Sequence, residues 1–328
     1  MLFPVLAGLL PVLLQARCFV DPVWNASELY HDFNHAYGAT FDPASNRTQE
    51  LLMDFYAPPT EGPRRDARSA RPTVLLVHGG SFVGGDKSSW APLATALAQR
   101  GFVAASINYR LTGAVYGAAT YCCPGNASDQ YALDAVHDAR AAVRYLRKVA
   151  LGAAWRLDPG RIGLGGGSAG AVAAAFYGYA RRAQGEGSSG NPGFASDVRF
   201  VMPVSGELAY DAFCRGGLDP ASGAPRGCTL GSWNYTTEID GANATAAQPP
   251  LLLVHGTADT TVPFREAQQM HARAEATGLR SQLVAIPGAG HVPQAQLVNA
   301  SLPWLGQALE FIAEVMDLDH AECPAAPR

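Results

Sequence analysis

One short stretch of the sequence carries the residue types of a nucleophilic serine. Gly166-x-Ser168-x-Gly170 follows an apolar run that ends at Leu164 and leads into an alanine-rich run over residues 169–183. This order predicts a strand, a very tight turn and a helix, with Ser168 lifted off the strand end between two small neighbours. A helix that begins directly after the serine points its first N–H groups and its positive dipole end at negative charge developing there.

Two further residues complete a set that can perform acyl transfer. Asp259 follows the apolar run 251–255, and His291 follows the run 281–286. Because a serine hydroxyl is a weak nucleophile, His291 is the candidate base and Asp259 is the candidate acid that orients it. His255 is a competing base, but it lies in the strand itself and we interpret it as a packing residue.

A glycine-rich loop supplies the fourth part of the set. His78-Gly79-Gly80-Ser81-Phe82 directly follows the continuous apolar run 73–77. A tetrahedral oxyanion needs backbone N–H donors, and we expect them from Gly80, Ser81 and Ala169, the residue after the nucleophile. We interpret His78 as a structural member of this loop and assign it no proton transfer.

The same glycines also match a rival pattern. Gly165-x-Gly167-x-x-Gly170 has the spacing of a dinucleotide-binding turn, which likewise follows a strand and opens a helix. Such a turn normally belongs to the first strand of its domain, whereas several predicted strands precede this one. Glu207 is only loosely placed for the acidic residue that such a site needs, and the pattern explains none of the other motifs. We therefore favour the serine nucleophile and predict no cofactor and no metal.

The elements that must position these residues alternate along the chain. We predict strands at 51–56, 73–78, 102–108, 161–164, 200–204, 251–255 and 281–286, and helices at 92–100, 129–151, 169–183, 264–277 and 302–316. The predicted fold is a doubly wound, mostly parallel sheet with helices on both faces. Ligands of such sheets bind at the carboxyl ends of the strands, where Ser168, Asp259 and His291 lie. No element is predicted for residues 17–39, and Asp158-Pro159-Gly160 predicts a turn.

Length and composition limit the classes of protein that fit. The 328 residues are 48% hydrophobic and 16% charged, which is ordinary for a globular chain with a large core. The formal net charge is −4 and no basic patch stands out, which argues against nucleic-acid binding. Residues 1–16 are apolar but too short to span a bilayer comfortably, and predict a secretory signal peptide ahead of one domain at 17–328, with no stable membrane anchor.

Sequons and cysteines also indicate a secreted or lumenal protein of a eukaryotic secretory pathway. The chain has six cysteines but no Cys-x-x-Cys pair, which argues against zinc and for disulfides. The short loop from Cys214 to Cys228 is the favoured bridge, and Cys18 and Cys323 lie where a bridge would best hold the chain ends. Six Asn-x-Ser/Thr sequons predict surface glycosylation sites. They are Asn25, Asn46, Asn126, Asn234, Asn243 and Asn299.

Taken together, these motifs resemble those of secreted α/β-hydrolases of the carboxylesterase and lipase type, close to the His-Gly-Gly-Gly esterases. The resemblance spans about residues 51–316 and implies an acyl-enzyme on Ser168, with His291 as base and Asp259 as orienting acid. The implied substrate is a small-molecule or lipid ester; a thioester, a peptide bond and a non-catalytic binding role are the alternatives. One departure is Ser81, which replaces the third glycine of the oxyanion loop and accepts fewer backbone conformations than glycine.

By the same resemblance, residues 205–250 form a lid-like insertion, with the loop 112–128 as the facing wall. Glu238 and Asp240 lie in this insertion and are rival acids for His291. Because sequons flank them, we expect both carboxylates to be solvated and mobile, and a mobile carboxylate cannot fix a histidine tautomer. Asp259 is therefore the favoured acid.

Overall fold

The protein is described from a computed structural model that covers residues 17–42, 46–111, 127–150, 155–180, 185–208, 235–241, 247–299 and 301–320. Its strands are β1 (Tyr30–Asp42), β2 (Arg47–Ala57), β3 (Arg71–Val77), β4 (Val103–Ile107), β5 (Leu157–Gly167), β6 (Val201–Val204), β7 (Leu251–Gly256) and β8 (Ser281–Ile286). Its described α-helices are α1 (Ala91–Ala98), α2 (Ala127–Val149), α3 (Ala169–Tyr179), α4 (Tyr235–Glu238), α5 (Arg265–Ala276), α6 (Gln294–Leu297) and α7 (Trp304–Val315).

All eight strands join one sheet in the order β1-β2-β4-β3-β5-β6-β7-β8. From β4 to β8 every neighbouring pair is parallel, whereas β2 is antiparallel to both β1 and β4. The predicted doubly wound, mostly parallel sheet is confirmed. The strand order places β5 near the centre and β7 beside β8, so the residues that follow these strands lie along one edge of the sheet.

Helices cover both faces of the sheet, which explains why the sequences of the central strands contain continuous apolar runs. All seven residues of β3 are buried. Val74 and Leu76 pack with residues of α1 and α7, while Leu75 and Val77 pack with residues of α2, α3 and α5. Successive side chains of a strand point to opposite faces, so a strand covered by helices on both sides is mostly apolar, as β3 is from Val74 onward.

The structure departs from the sequence prediction at two places. Strand β1 was not predicted, because register irregularities between Asp32 and His35 and between Ala36 and Gly38 break its alternation of polar and apolar residues. Residues 158–160 were predicted as a turn but lie within β5. They form a local irregularity there, because Asp158 Oδ1 accepts the N–H of Gly160 at 2.9 Å and the pairing with β3 shifts beside them.

Several predictions fall on residues outside the described ranges. These are the signal peptide at 1–16, most of the lid-like insertion, Cys214, Cys228, Cys323 and the sequon asparagines Asn126, Asn234 and Asn243. Within the described ranges, Cys18 is disulfide-bonded. Among the helices of those ranges, none combines the length and the apolar character that a membrane crossing requires.

Candidate active site

Ser168 occupies the turn between the central strand β5 and helix α3. Its backbone lies at φ 54° and ψ −119°, a conformation that residues with a side chain rarely adopt. The N–H of Ser168 donates to the carbonyl of Val204 at the end of β6, at 3.0 Å, which fixes the turn to the sheet. Backbone strain of this kind costs roughly 1–3 kcal/mol and is concentrated at functional sites.

The glycines on either side of Ser168 are required by close backbone contacts. A methyl group added to Gly166 would lie 2.2 Å from the carbonyl oxygen of Gly170. One added to Gly170 would lie 2.1 Å from the carbonyl oxygen of Val77 in β3. Both distances are far below van der Waals contact, so the sharp turn exists only with glycine at these two positions.

Asp259 and His291 are hydrogen-bonded to each other. His291 Nδ1 lies 2.8 Å from Asp259 Oδ2, an arrangement in which the ring N–H donates to the carboxylate. The other carboxylate oxygen accepts the N–H groups of Thr261 and Val262, both at 2.9 Å. The side chain of Asp259 is fully buried and that of His291 is 25% exposed, so a buried carboxylate faces an imidazole that solvent can reach.

These contacts keep Asp259 ionised despite its burial. Burial alone would raise the pKa of the Asp259 carboxyl, but the hydrogen bond from His291 and those from the backbone of Val262 and Thr261 outweigh it. The pKa of Asp259 is therefore held below its ordinary value. A carboxylate that stays charged at neutral pH can stabilise an imidazolium beside it.

His255 is the second imidazole near this carboxylate. Its Nε2 lies 2.9 Å from the carbonyl oxygen of Val262 and 3.3 Å from Asp259 Oδ2, and the residue is only 1% exposed. Burial lowers the pKa of His255, although the contacts with Val262 and Asp259 act in the opposite direction. Its ring also packs edge-on against Phe264. The structure thus places His255 behind the carboxylate, in keeping with its interpretation as a packing residue.

One of the rival acids, Asp240, contacts helix α5. Asp240 Oδ1 is 3.8 Å from a guanidinium nitrogen of Arg273 on α5, whose Nε donates to the carbonyl of Ile239. Ile239 is fully buried in the core beside α5, whereas Glu238 and Asp240 on either side of it are both partly exposed. The partial exposure agrees with the expected solvation of these two carboxylates, and their mobility stays a prediction.

The glycine-rich loop after β3 packs directly against Ser168. A methyl group on Gly79 would lie 3.0 Å from Ser168 Cβ. Gly80, Ser81 and Phe82 have φ values of 112°, 53° and 59°, so Ser81 and Phe82 both occupy the left-handed region that glycine enters most easily. His78 supports the loop: its Nδ1 lies 2.7 Å from the carbonyl oxygen of Gly79.

The surroundings of His78 favour its neutral form. Its ring stacks on Tyr109 at a centroid distance of 4.4 Å. Burial lowers the pKa of His78, although the contact with Gly79 and the charge of Asp86 act in the opposite direction. A neutral ring that supports the loop agrees with the structural role expected for it.

Ser168, His291 and the glycine-rich loop open onto one cavity of about 440 Å³. The cavity is lined by Gly79, Gly80, Ser81, Gly85, Ser89, Trp90, Ser168, Thr261, His291, Val292 and Gln294. Sequence reasoning missed Trp90 and Val292, which supply its large apolar groups. The position of Val292 directly after His291 was a signal for one of them, whereas nothing local marks Trp90. Within the described residues no group of three or more His, Cys, Asp or Glu side chains is placed to hold a metal ion.

Two family models match adjacent parts of the chain. The BD-FAE model matches residues 53–199, which contain Ser168. The prolyl oligopeptidase family model matches residues 230–319, which contain Asp259 and His291. A curated protein of Oryza sativa subsp. japonica, named "Probable isoprenylcysteine alpha-carbonyl methylesterase ICME", is 24% identical over 295 residues. That match covers 82% of this chain but only 61% of the rice protein, so this chain spans less than two thirds of the length of the rice protein.

Solved structures share the fold over most of the chain. The native Est2 esterase of Thermogutta terrifontis superposes with a TM-score of 0.62 at 23% identity, covering 89% of this chain and 94% of that one. A truncated carbohydrate esterase from gut microbiota gives a TM-score of 0.61 at 18% identity, covering 90% and 100%. The sheet order and these likenesses agree on the fold: the chain has an α/β-hydrolase fold, which it shares with esterases of known structure.

Proposed function

We propose that the chain hydrolyses carboxylic esters through an acyl-enzyme on Ser168. One observation carries the proposal: Ser168 on its strained turn and His291, hydrogen-bonded to the buried Asp259, line the same cavity. The order Ser, Asp, His, each after its own parallel strand, is that of α/β-hydrolase triads. The similar proteins with esterase names favour an ester over an amide as the bond cleaved.

In the first half of the proposed reaction, His291 Nε2 takes the hydroxyl proton of Ser168 while Oγ attacks the ester carbonyl carbon. The carbonyl electron pair moves onto oxygen and a tetrahedral adduct forms. The adduct collapses when the bond to the leaving oxygen breaks, and His291 returns its proton to that oxygen. In the second half, water attacks the acyl-enzyme by the same path and releases the carboxylic acid.

Two sets of groups stabilise the charge that develops. The carboxylate of Asp259 offsets the positive charge of His291, and its lowered pKa keeps it ionised throughout. For the oxyanion we propose the backbone N–H groups of Gly80, Ser81 and Ala169. The first N–H groups of helix α3, which begins at Ala169, have no acceptor within the helix, and the loop packs against Ser168. A single donor of this kind is typically worth about a hundredfold to a thousandfold in kcat.

A matched set of substrates tests the proposal. Acetyl esters of p-nitrophenol, the corresponding thioester and the corresponding anilide carry the same acyl group on three leaving atoms. We expect kcat/KM to be largest for the ester. A larger value for the thioester or anilide would favour those alternatives, and no turnover together with no labelling by a fluorophosphonate would indicate a binding module.

We also propose that the chain is secreted or lumenal and carries N-linked glycans. The three sequon asparagines within the described residues, Asn25, Asn46 and Asn299, are all exposed, as glycan attachment requires. The disulfide of Cys18 suits an oxidising compartment.

Enzymatic removal of N-glycans tests this location. We expect protein recovered from the medium of eukaryotic cells to lose mass on such treatment, and Asn25→Gln, Asn46→Gln and Asn299→Gln each to remove one glycan. Retention of the whole product inside the cell with unchanged mass would contradict the proposal.

A further inference from the structure

The end of strand β6 contacts both the turn that carries Ser168 and the loop that carries His291. The carbonyl of Val204, the last residue of β6, accepts the N–H of Ser168 at 3.0 Å. The next residue, Ser205, contacts the other segment, because its Oγ accepts the N–H of Val292 at 3.1 Å. Val292 directly follows His291. Two successive residues therefore fix the Ser168 turn and the His291 loop relative to each other.

The sheet itself fixes the position of Ser205. Its backbone N–H donates to the carbonyl of Val254 in β7 at 2.9 Å, and the residue is fully buried. Val204, just before it, pairs with Val254 on one side and with Gly167 of β5 on the other. The hydroxyl oxygen of Ser205 is thus an acceptor in a fixed place, and the His291 loop is held to it.

The hydrogen bond joins two residues with unusual backbone conformations. Ser205 lies at φ 51° and Val292 at φ 47°, and a β-branched residue in this left-handed region is a genuine outlier. Such conformations persist only where the surrounding structure holds them, and they are concentrated at functional sites. Val292 is also held from a second side, since a methyl group on Gly167 would lie 3.1 Å from its Cγ1. The strained loop is therefore held directly against the Ser168 turn.

The contact with Asp259 is not sufficient to aim the imidazole of His291. The hydrogen bond at Nδ1 fixes the distance to Asp259 Oδ2, but it leaves open the direction in which Nε2 points. The backbone of the loop has to supply that direction. We propose that Ser205 is a positioning residue, whose hydroxyl holds this backbone so that Nε2 reaches both Ser168 Oγ and the leaving oxygen. This inference rests on the proposed ester hydrolysis.

The choice of leaving group separates a misplaced base from a destabilised fold. p-Nitrophenoxide leaves without a proton, whereas the alkoxide of benzyl acetate needs the proton that His291 returns to it. We expect Ser205→Ala to lower kcat/KM about tenfold for p-nitrophenyl acetate and about a hundredfold for benzyl acetate. A smaller fraction of folded enzyme would lower both values equally. The ratio of the two values therefore reports the position of His291.

Two further variants accompany Ser205→Ala. Ser205→Gly also lacks the hydroxyl but adopts φ 51° without strain, so it covers the case in which the alanine variant fails to fold, and it should change the ratio in the same direction. Ser196→Ala is the matched control. Ser196 is also buried and its hydroxyl accepts an N–H of Arg140 at 2.8 Å, but it does not line the cavity. Its ratio should equal that of the parent.

A double-mutant cycle tests whether Ser205 acts through His291. In a His291→Ala background, Ser205→Ala should change the remaining turnover of p-nitrophenyl acetate by less than about twofold, because no imidazole is left to position. An unchanged ester ratio in both Ser205 variants, or a loss of about tenfold in the His291→Ala background, would overturn the positioning role alone. Parental activity of His291→Ala, or absence of turnover of both esters by the parent, would overturn the proposed function and the positioning role with it.

Discussion

Replacing Ser168 with alanine is expected to lower kcat/KM for any ester substrate by about a thousandfold or more. In the proposed reaction the hydroxyl oxygen of Ser168 forms the covalent bond to the acyl group, and the alanine side chain has no atom that can replace it. The effect is measured with p-nitrophenyl acetate on the purified variant. The midpoint temperature of thermal unfolding should be close to that of the parent, because alanine is smaller than serine and Gly166 and Gly170 still flank the turn.

Ser89→Ala is the control for a lost hydroxyl in the same cavity. Ser89 lines the cavity but is exposed on the short 3-10 helix Lys87–Trp90, so loss of its hydroxyl should change kcat/KM by less than about threefold, an ordinary surface effect. A fluorophosphonate should label the parent and the Ser89 variant on Ser168 and should not label Ser168→Ala. More than about a thousandth of parental activity left in Ser168→Ala would show that the nucleophile has been misassigned.

Asp259→Asn is expected to lower kcat by about ten-thousand-fold. Asp259 accepts the N–H of His291 Nδ1, which leaves Nε2 unprotonated and ready to take the serine proton. An asparagine side chain can instead donate its N–H₂ group to Nδ1, and the proton then moves to Nε2. The ring keeps its position but loses its ability to act as a base.

The two rival acids, Asp240 and Glu238, provide the comparison for Asp259→Asn. Asp240→Asn and Glu238→Gln should each cost less than about tenfold in kcat, because the contacts of Asp240 and Ile239 with Arg273 hold this segment on α5. All three changes remove one negative charge, so an effect of net charge alone would make them similar. Near-parental activity of Asp259→Asn, together with collapse of one of the other two, would mean that the insertion supplies the acid.

The parallel part of the sheet could be predicted from sequence because burial on both faces imposes a local pattern. Strands β3 and β7 are buried at every position and consist mostly of apolar residues, and Gly166 and Gly170 mark a turn in which backbone atoms fill the space beside the glycines. Ser168, Asp259 and His291 could be proposed together because each follows a predicted strand. Grouping these three residues as one candidate site required only the order of the predicted elements and no knowledge of side-chain contacts.

Features that depend on distant contacts were missed. Strand β1 pairs only with β2 and bends at two irregularities, so its sequence has no clean alternation. Trp90 looks like an ordinary core residue until the fold brings it against Gly167, and the strain at Val292 is a property of the backbone. The flanking sequons describe only the local surface of the segment with Glu238 and Asp240, so the burial of Ile239 beside α5 could not be predicted from them.

The carboxylate of Asp259 lies beside two imidazoles, and the difference between them bears on how many protons the proposed reaction exchanges. His255 is buried and its pKa is lowered by burial, which favours its neutral form, and its Nε2 meets the carbonyl oxygen of Val262 at 2.9 Å. In the proposed reaction only His291 gains and loses a proton, so the total charge of the three groups would alternate between −1 and 0. The proposed site thus exchanges one proton in each half-reaction, and His255 does not compete for the charge of the carboxylate.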